Sequence, residues 1–84
     1  MNEQDFYDKI ENRDNQKCNV STTAGIYNDV IFIRVQPKTN PIMMIVKATG
    51  ELYKMLNGIS TTSGEKIKEG VFGIPVDLIK SIDF

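Results

Sequence analysis

The stretch that decides the fold is Val30–Ala48, which reads VIFIRVQPKTNPIMMIVKA. Its two ends are dense in β-branched and aromatic residues, which favour extended strands. The five residues between them, Pro37–Pro41, include two prolines and an asparagine, a composition typical of a hairpin loop. The stretch therefore predicts two antiparallel strands, over about residues 30–36 and 42–48, and this hairpin is the expected centre of a small sheet.

Both faces of this hairpin are predicted to be apolar. Opposed residues of an antiparallel pair share a face, so a pairing of Gln36 with Ile42 sorts the side chains into two sets. The first set is Ile31, Ile33, Val35, Met43 and Ile45, ending in Lys47, and the second is Val30, Phe32, Ile42, Met44, Val46 and Ala48. The first set is the expected core, so that an Ile33→Asp change should prevent folding. The second set is interrupted only by Arg34 and Gln36, and it needs cover from a helix or from a partner.

The residues before the hairpin predict a helix and a short strand. Asn2 is a good N-cap, acids follow it in the first turns, and Phe6, Tyr7 and Ile10 form an apolar stripe at helical spacing. We expect a helix over about residues 3–13. An edge strand over Lys17–Val20 then leads into a polar loop, Ser21–Gly25.

The residues after the hairpin allow two interpretations. In the first, Thr49 caps a second helix over about residues 51–58, whose apolar side chains repeat with helical spacing and cover the sheet. In the second, Thr49-Gly50 is a tight turn and Glu51–Leu56 is a third strand. The helix is preferred because glutamate, leucine, lysine and methionine are good helix formers.

The C-terminal residues also leave two alternatives. A final strand is expected within Lys66–Ile74, after which Pro75 either begins a helical turn or closes the strand. In the latter case Val76–Ile79 is a single tight turn and Lys80–Phe84 is a further strand, a rhythm that suits a small barrel of the SH3 or Sm type. The predicted fold class is thus α+β, with a small antiparallel sheet and two helices, and the alternative is such a β-barrel with an N-terminal helix.

Length and composition indicate one ordinary globular domain. The chain has 84 residues, of which 40% are hydrophobic and 25% are charged, and its formal net charge is −1. Its longest apolar run, Pro41–Val46, is far shorter than the roughly 20 residues that span a bilayer. Without a recognisable secretion signal, and with Cys18 as its only cysteine, the chain is expected in the cytoplasm.

The side chains offer little for catalysis. The sequence contains no histidine, which is the commonest general base and metal ligand. Cys18 has no histidine partner, no acidic cluster has the spacing of a calcium loop, and no cysteine–histidine set fits zinc. We therefore expect no enzymatic activity, no cofactor and no metal.

Binding of another macromolecule remains as the expected function. The first candidate is a protein-interaction module, an accessory or inhibitory factor of a phage or plasmid, whose partner is another protein or a second copy in a homodimer. Its expected binding residues lie on the hairpin and are Phe32, Arg34, Met43, Met44, Val46 and Lys47.

The alternative is a nucleic-acid-binding domain, which would combine basic residues with aromatic side chains that stack on bases. The basic candidates are Arg34, Lys38, Lys47, Lys54, Lys66 and Lys68, and the aromatic ones are Tyr27, Phe32 and Tyr53. The pI of about 5.3 argues against it.

Overall fold

The computed structural model describes residues 1–49 and 70–84, which contain one α-helix and a five-stranded antiparallel sheet. The elements are α1 (Glu3–Ile10), β1 (Lys17–Thr22), β2 (Gly25–Gln36), β3 (Met43–Lys47), β4 (Val71–Pro75) and β5 (Ile79–Asp83). A single 3-10 turn, Val76–Leu78, joins the last two strands. The strand order is β4-β3-β2-β1-β5, so β4 and β5 are the edges of an open sheet.

The N-terminal helix forms as its capping residue predicts. The side chain of Asn2 accepts a hydrogen bond of 2.8 Å from the backbone N–H of Asp5, which satisfies one of the free donors of the first turn. The helix ends at Ile10, three residues before the predicted end. Asn12 and Asn15 have φ angles of 59° and 64°, a left-handed conformation that a continuing helix does not allow.

The predicted hairpin forms, but it is not the centre of the sheet. That centre is β2 itself, whose 12 residues pair with β1 on one side and with β3 on the other. β1 also pairs with β5, so it is an inner strand and not the predicted edge. The predicted polar loop, Ser21–Gly25, is correspondingly shorter, because both strands extend into it and leave a turn at residues 23–24.

A β-bulge changes the register within the hairpin. Phe32 pairs with Val46 as predicted, but beyond this point Arg34 pairs with Ile45 and Gln36 pairs with Met43. Two residues of β2, Ile33 and Arg34, therefore oppose one residue of β3. A second shift lies between Cys18 and Val20 of β1, opposite Asp29, which has a φ of 55°. Two bulges in one strand increase its twist and bend.

The core lies on the face of the hairpin that was not expected to form it. Phe32 is 1% exposed and Val46 is fully buried, whereas Ile31, Ile33 and Ile45 are only half-buried and stand outside the core cluster. The cluster consists of Phe6, Ile10, Cys18, Val20, Val30, Phe32, Met44, Val46, Ile74, Val76, Ile79 and Ile82. The prediction was wrong because both faces are apolar, and the choice depends on where α1 packs its two inward side chains.

The C-terminal residues follow the second of the two predicted alternatives. β4 ends at Pro75, the 3-10 turn takes three residues, and β5 follows directly. The strand order nevertheless leaves the described sheet open, so a closed barrel is not what forms. The predicted second helix, its strand alternative, and the first part of the predicted strand Lys66–Ile74 lie outside the described residues.

Candidate protein-binding surface

The side of the sheet opposite the core carries an apolar surface, which we call the outer face. It is formed by Ile31 and Ile33 of β2, Met43 and Ile45 of β3, and Gly73 of β4. The four large side chains are half-buried, and none of them belongs to the core cluster or packs against it. Apolar side chains gathered on the side away from the core are typical of a contact surface.

Basic side chains lie at the margin of this surface. Across four neighbouring strands, Lys17 pairs with Ile31, Ile31 pairs with Lys47, and Lys47 pairs with Val71. Because paired residues share a face, these four side chains form one row across the sheet, with both lysines exposed. The row places a positive charge on each side of Ile31.

Arg34 adds a third positive charge at the bulge. It is exposed, and its Nη1 donates a hydrogen bond of 2.6 Å to Oε1 of Gln36. This bond restrains a long side chain that would otherwise sample many rotamers. The bulge therefore places an oriented guanidinium beside Ile33 and Ile45.

Gly73 shows how the side chains of the outer face fold over the neighbouring strand. A Cβ atom added there would lie 3.0 Å from Cε of Met43 and 3.3 Å from Cδ1 of Ile45. Both atoms are the far ends of flexible side chains, which cover the backbone of Gly73 and are able to move. The absence of a side chain at residue 73 thus extends the apolar surface onto β4.

The structure divides the six residues predicted to bind a partner into two groups. Phe32, Met44 and Val46 are 0–1% exposed and belong to the core, so their side chains contribute no contact surface in this fold. Met43, Arg34 and Lys47 lie on the outer face or at its margin. The hairpin pattern predicts Ile31, Ile33 and Ile45 in the core, so these three isoleucines of the outer face are not among the predicted binding residues.

Aromatic side chains are not found on the outer face within the described residues. Phe32 is in the core, and Tyr27 packs against the core with its ring 5.3 Å from that of Phe72. Three of the proposed basic residues, Arg34, Lys38 and Lys47, are exposed. Tyr53, Lys54, Lys66 and Lys68, which were also candidates for nucleic-acid contact, lie outside the described residues.

The groups capable of chemistry are dispersed. Cys18 is buried, and this burial raises the pKa of its thiol to about 11, so the reactive thiolate is scarce at neutral pH. In residues 1–49 and 70–84, no three His, Cys, Asp or Glu side chains are grouped so as to hold a metal ion.

An open cleft of about 410 Å³ lies between the start of α1, the β2–β3 loop and the 3-10 turn. Its charged side chains are the carboxylates of Glu3 and Asp77, and Asn40 and Ile42 are among its other lining residues. Beside the cleft, the side chain of Asn2 accepts a hydrogen bond from the N–H of Asp5, and the N-terminal amine of Met1 donates to the carbonyl of Ile79. The cleft thus presents two acids together with the N-terminal amine of Met1 and the hydroxyl of Thr39.

Comparison of the chain with protein-family models, with curated proteins and with solved structures found no match. Within the described ranges, no helix has the length and apolar character needed to cross a membrane.

Proposed function

We propose that the protein is a non-catalytic interaction module that binds another protein through its outer face and acts as an accessory or inhibitory factor. The observation that carries the proposal is the set of four half-buried apolar side chains, Ile31, Ile33, Met43 and Ile45, on the side of the sheet away from the core. A surface of this kind gains free energy when a partner removes it from water.

The composition of the surface supports a protein partner over a nucleic acid. Single-stranded nucleic acids are held by aromatic side chains that stack on bases, together with basic groups along the backbone. The outer face has the basic groups Lys17, Arg34 and Lys47, but its centre is aliphatic. An apolar centre with a polar margin is the usual arrangement of protein interfaces.

A capture experiment with matched variants tests the proposal. Ile45→Lys places a charge at the centre of the outer face, whereas Ile26→Lys changes a side chain that is 65% exposed near the other end of β2. Both variants are first compared with the parent by circular dichroism and thermal melting. The three proteins, each carrying a photo-crosslinker at the exposed Lys47, are then used to capture proteins from the source cell.

We expect the parent and Ile26→Lys to yield the same crosslinked protein, and Ile45→Lys to lose it at least tenfold. Capture that is equal for all three folded proteins would contradict a role of the outer face.

A further inference from the structure

The described residues carry a surplus of acids on α1 and a surplus of basic residues around the outer face. α1, which packs on the core side, presents three acids, Glu3, Asp5 and Asp8, and one base, Lys9, to solvent. The outer face has Lys17, Arg34 and Lys47 at its margin, and the one acid that strand pairing places on the same side of β5 is Asp83, at the edge of the sheet. One molecule thus carries two complementary surfaces, which point away from each other and cannot meet within the same chain.

We propose that the occupant of the outer face is α1 of a second copy of this chain. The inference rests on the proposed function, because it assigns a partner to the same surface. Acidic side chains of the helix would meet the lysines and Arg34, and charge complementarity of this kind favours the correct pairing and disfavours others.

The exposed side of α1 also carries an anchor for the aliphatic centre. Phe6 and Ile10 turn inward to the core, while Tyr7 is 39% exposed. Glu3 precedes Tyr7 by four residues, so both lie on one side of the helix, and Asp8 is adjacent. Tyrosine is enriched at the centres of protein interfaces because its ring is large and rigid and its hydroxyl remains able to hydrogen-bond.

A head-to-tail contact fits the charges better than a symmetric one. If two outer faces met across a two-fold axis, Lys17, Arg34 and Lys47 of one copy would face the same three residues of the other, which is unfavourable. A helix on the outer face instead leaves the acceptor copy with a free helix and the donor copy with a free outer face. Such a contact is heterologous, and it propagates or closes into a ring.

The contact is small and is expected to be weak. α1 has eight residues and is about 12 Å long at 1.5 Å per residue, close to the width of three strands spaced about 4.8 Å apart. Interfaces of this extent belong to the small, transient class. Association should therefore appear at high micromolar concentration and weaken as salt screens the charges.

Sedimentation equilibrium with two charge-reversed variants tests the inference. Asp8→Lys alters only the helix surface, where the carboxylate accepts a hydrogen bond from Gln4, and Lys47→Glu alters only the outer face. Both positions are exposed, and the melting temperature of each variant is compared with that of the parent. We expect the parent to self-associate reversibly with a dissociation constant below about 1 mM. For each variant alone, the dissociation constant of self-association should be about tenfold higher.

The decisive sample is the equimolar mixture of the two variants. The unchanged helix of Lys47→Glu can dock on the unchanged outer face of Asp8→Lys, so the mixture should form complexes with nearly the affinity of the parent. A symmetric contact between outer faces predicts instead that Asp8→Lys associates as strongly as the parent, and this result would overturn the inference.

A parent that stays monomeric up to about 1 mM would also overturn it, since this concentration detects even a weak contact. If that monomer still loses its captured cellular protein on Ile45→Lys, the proposed function stands and only the second copy is excluded as the occupant. If both measurements are negative, the proposed function falls as well.

Discussion

The core side and the outer side of the same hairpin differ in burial although their side chains are equally apolar. Phe32 and Val46 are 1% and 0% exposed, while Ile31, Ile33 and Ile45, which alternate with them, are half-buried. Alternation along a strand separates the two faces but does not say which one becomes the core. That choice comes from outside the hairpin, where α1 adds Phe6 and Ile10 to one face.

The strongest test of this comparison places the same charge on adjacent residues of β2. Phe32→Asp buries a carboxylate among Met44, Val46 and other core side chains, at a cost of several kcal/mol, in a domain whose total stability is expected to be about 5–10 kcal/mol. We therefore expect Phe32→Asp to be unfolded by circular dichroism at 25 °C. Ile33→Asp lies at the bulge on the outer face and should remain folded, with a loss of about 1–2 kcal/mol in urea unfolding.

Comparing the stabilities of these two variants shows which face of the hairpin is the core: the one in the structure or the one predicted from the sequence. From the hairpin pattern alone, Ile33 was the residue whose replacement by aspartate should prevent folding. A folded Phe32→Asp protein together with an unfolded Ile33→Asp protein would restore that assignment of faces.

The sequence predicted the elements of the fold better than their packing. Local signals were sufficient for the Asn2 cap and the hairpin around Pro37–Pro41, because each depends on residues close together in the chain. For the residues after Pro75 they left two alternatives, one of which is the turn that forms. The bulge at Ile33 and Arg34 was not predictable, since it depends on the pairing of β2 with two partners at once.

Three of the six residues predicted to bind a partner lie on the outer face or at its margin, and the other three lie in the core. Met43, Arg34 and Lys47 were identified, but Phe32, Met44 and Val46 were assigned to a partner when they form the core of the chain itself. Lys17 and Gly73 were missed because they reach the outer face only through strand pairings distant in sequence. Gly73 lies between two apolar residues of a strand, and a glycine at such a position often marks a close approach of other groups to the backbone. This was the one feature of the sequence that could have indicated that side chains lie over residue 73.

The pH dependence of the free energy of unfolding reports, through Cys18, how far the core side is shielded from water. Burial raises the pKa of its thiol from 9.0 to about 11, so the folded protein holds the proton more tightly than the unfolded chain does. Stability is therefore unaffected below pH 9 and falls as the pH rises from about 9 towards 11, where only the unfolded thiol ionises. We expect the free energy of unfolding in urea to fall more steeply over this range for the parent than for Cys18→Ala.

A cysteine on the outer face is the matched control for this measurement. In the double variant Cys18→Ala with Ile45→Cys, the thiol is only half-buried, so its pKa should stay closer to the ordinary value and the extra loss of stability should shrink. Equal pH dependence for the parent and the double variant would mean that the two faces are equally accessible to water.

The smallest expected effect is that of Gly73→Ala, which tests whether the outer face is packed as tightly as the core. The new methyl group would lie 3.0 Å from Cε of Met43 and 3.3 Å from Cδ1 of Ile45, two flexible ends that can move outward. Alanine also restricts the unfolded chain, which offsets part of the cost of that movement by about 0.4–1 kcal/mol. The net change in the free energy of unfolding should stay within about 0.5 kcal/mol, or a few degrees in melting temperature. A loss above about 2 kcal/mol is the cost of overpacking a rigid interior, and it would show that the side chains over Gly73 are held as firmly as those around Phe32.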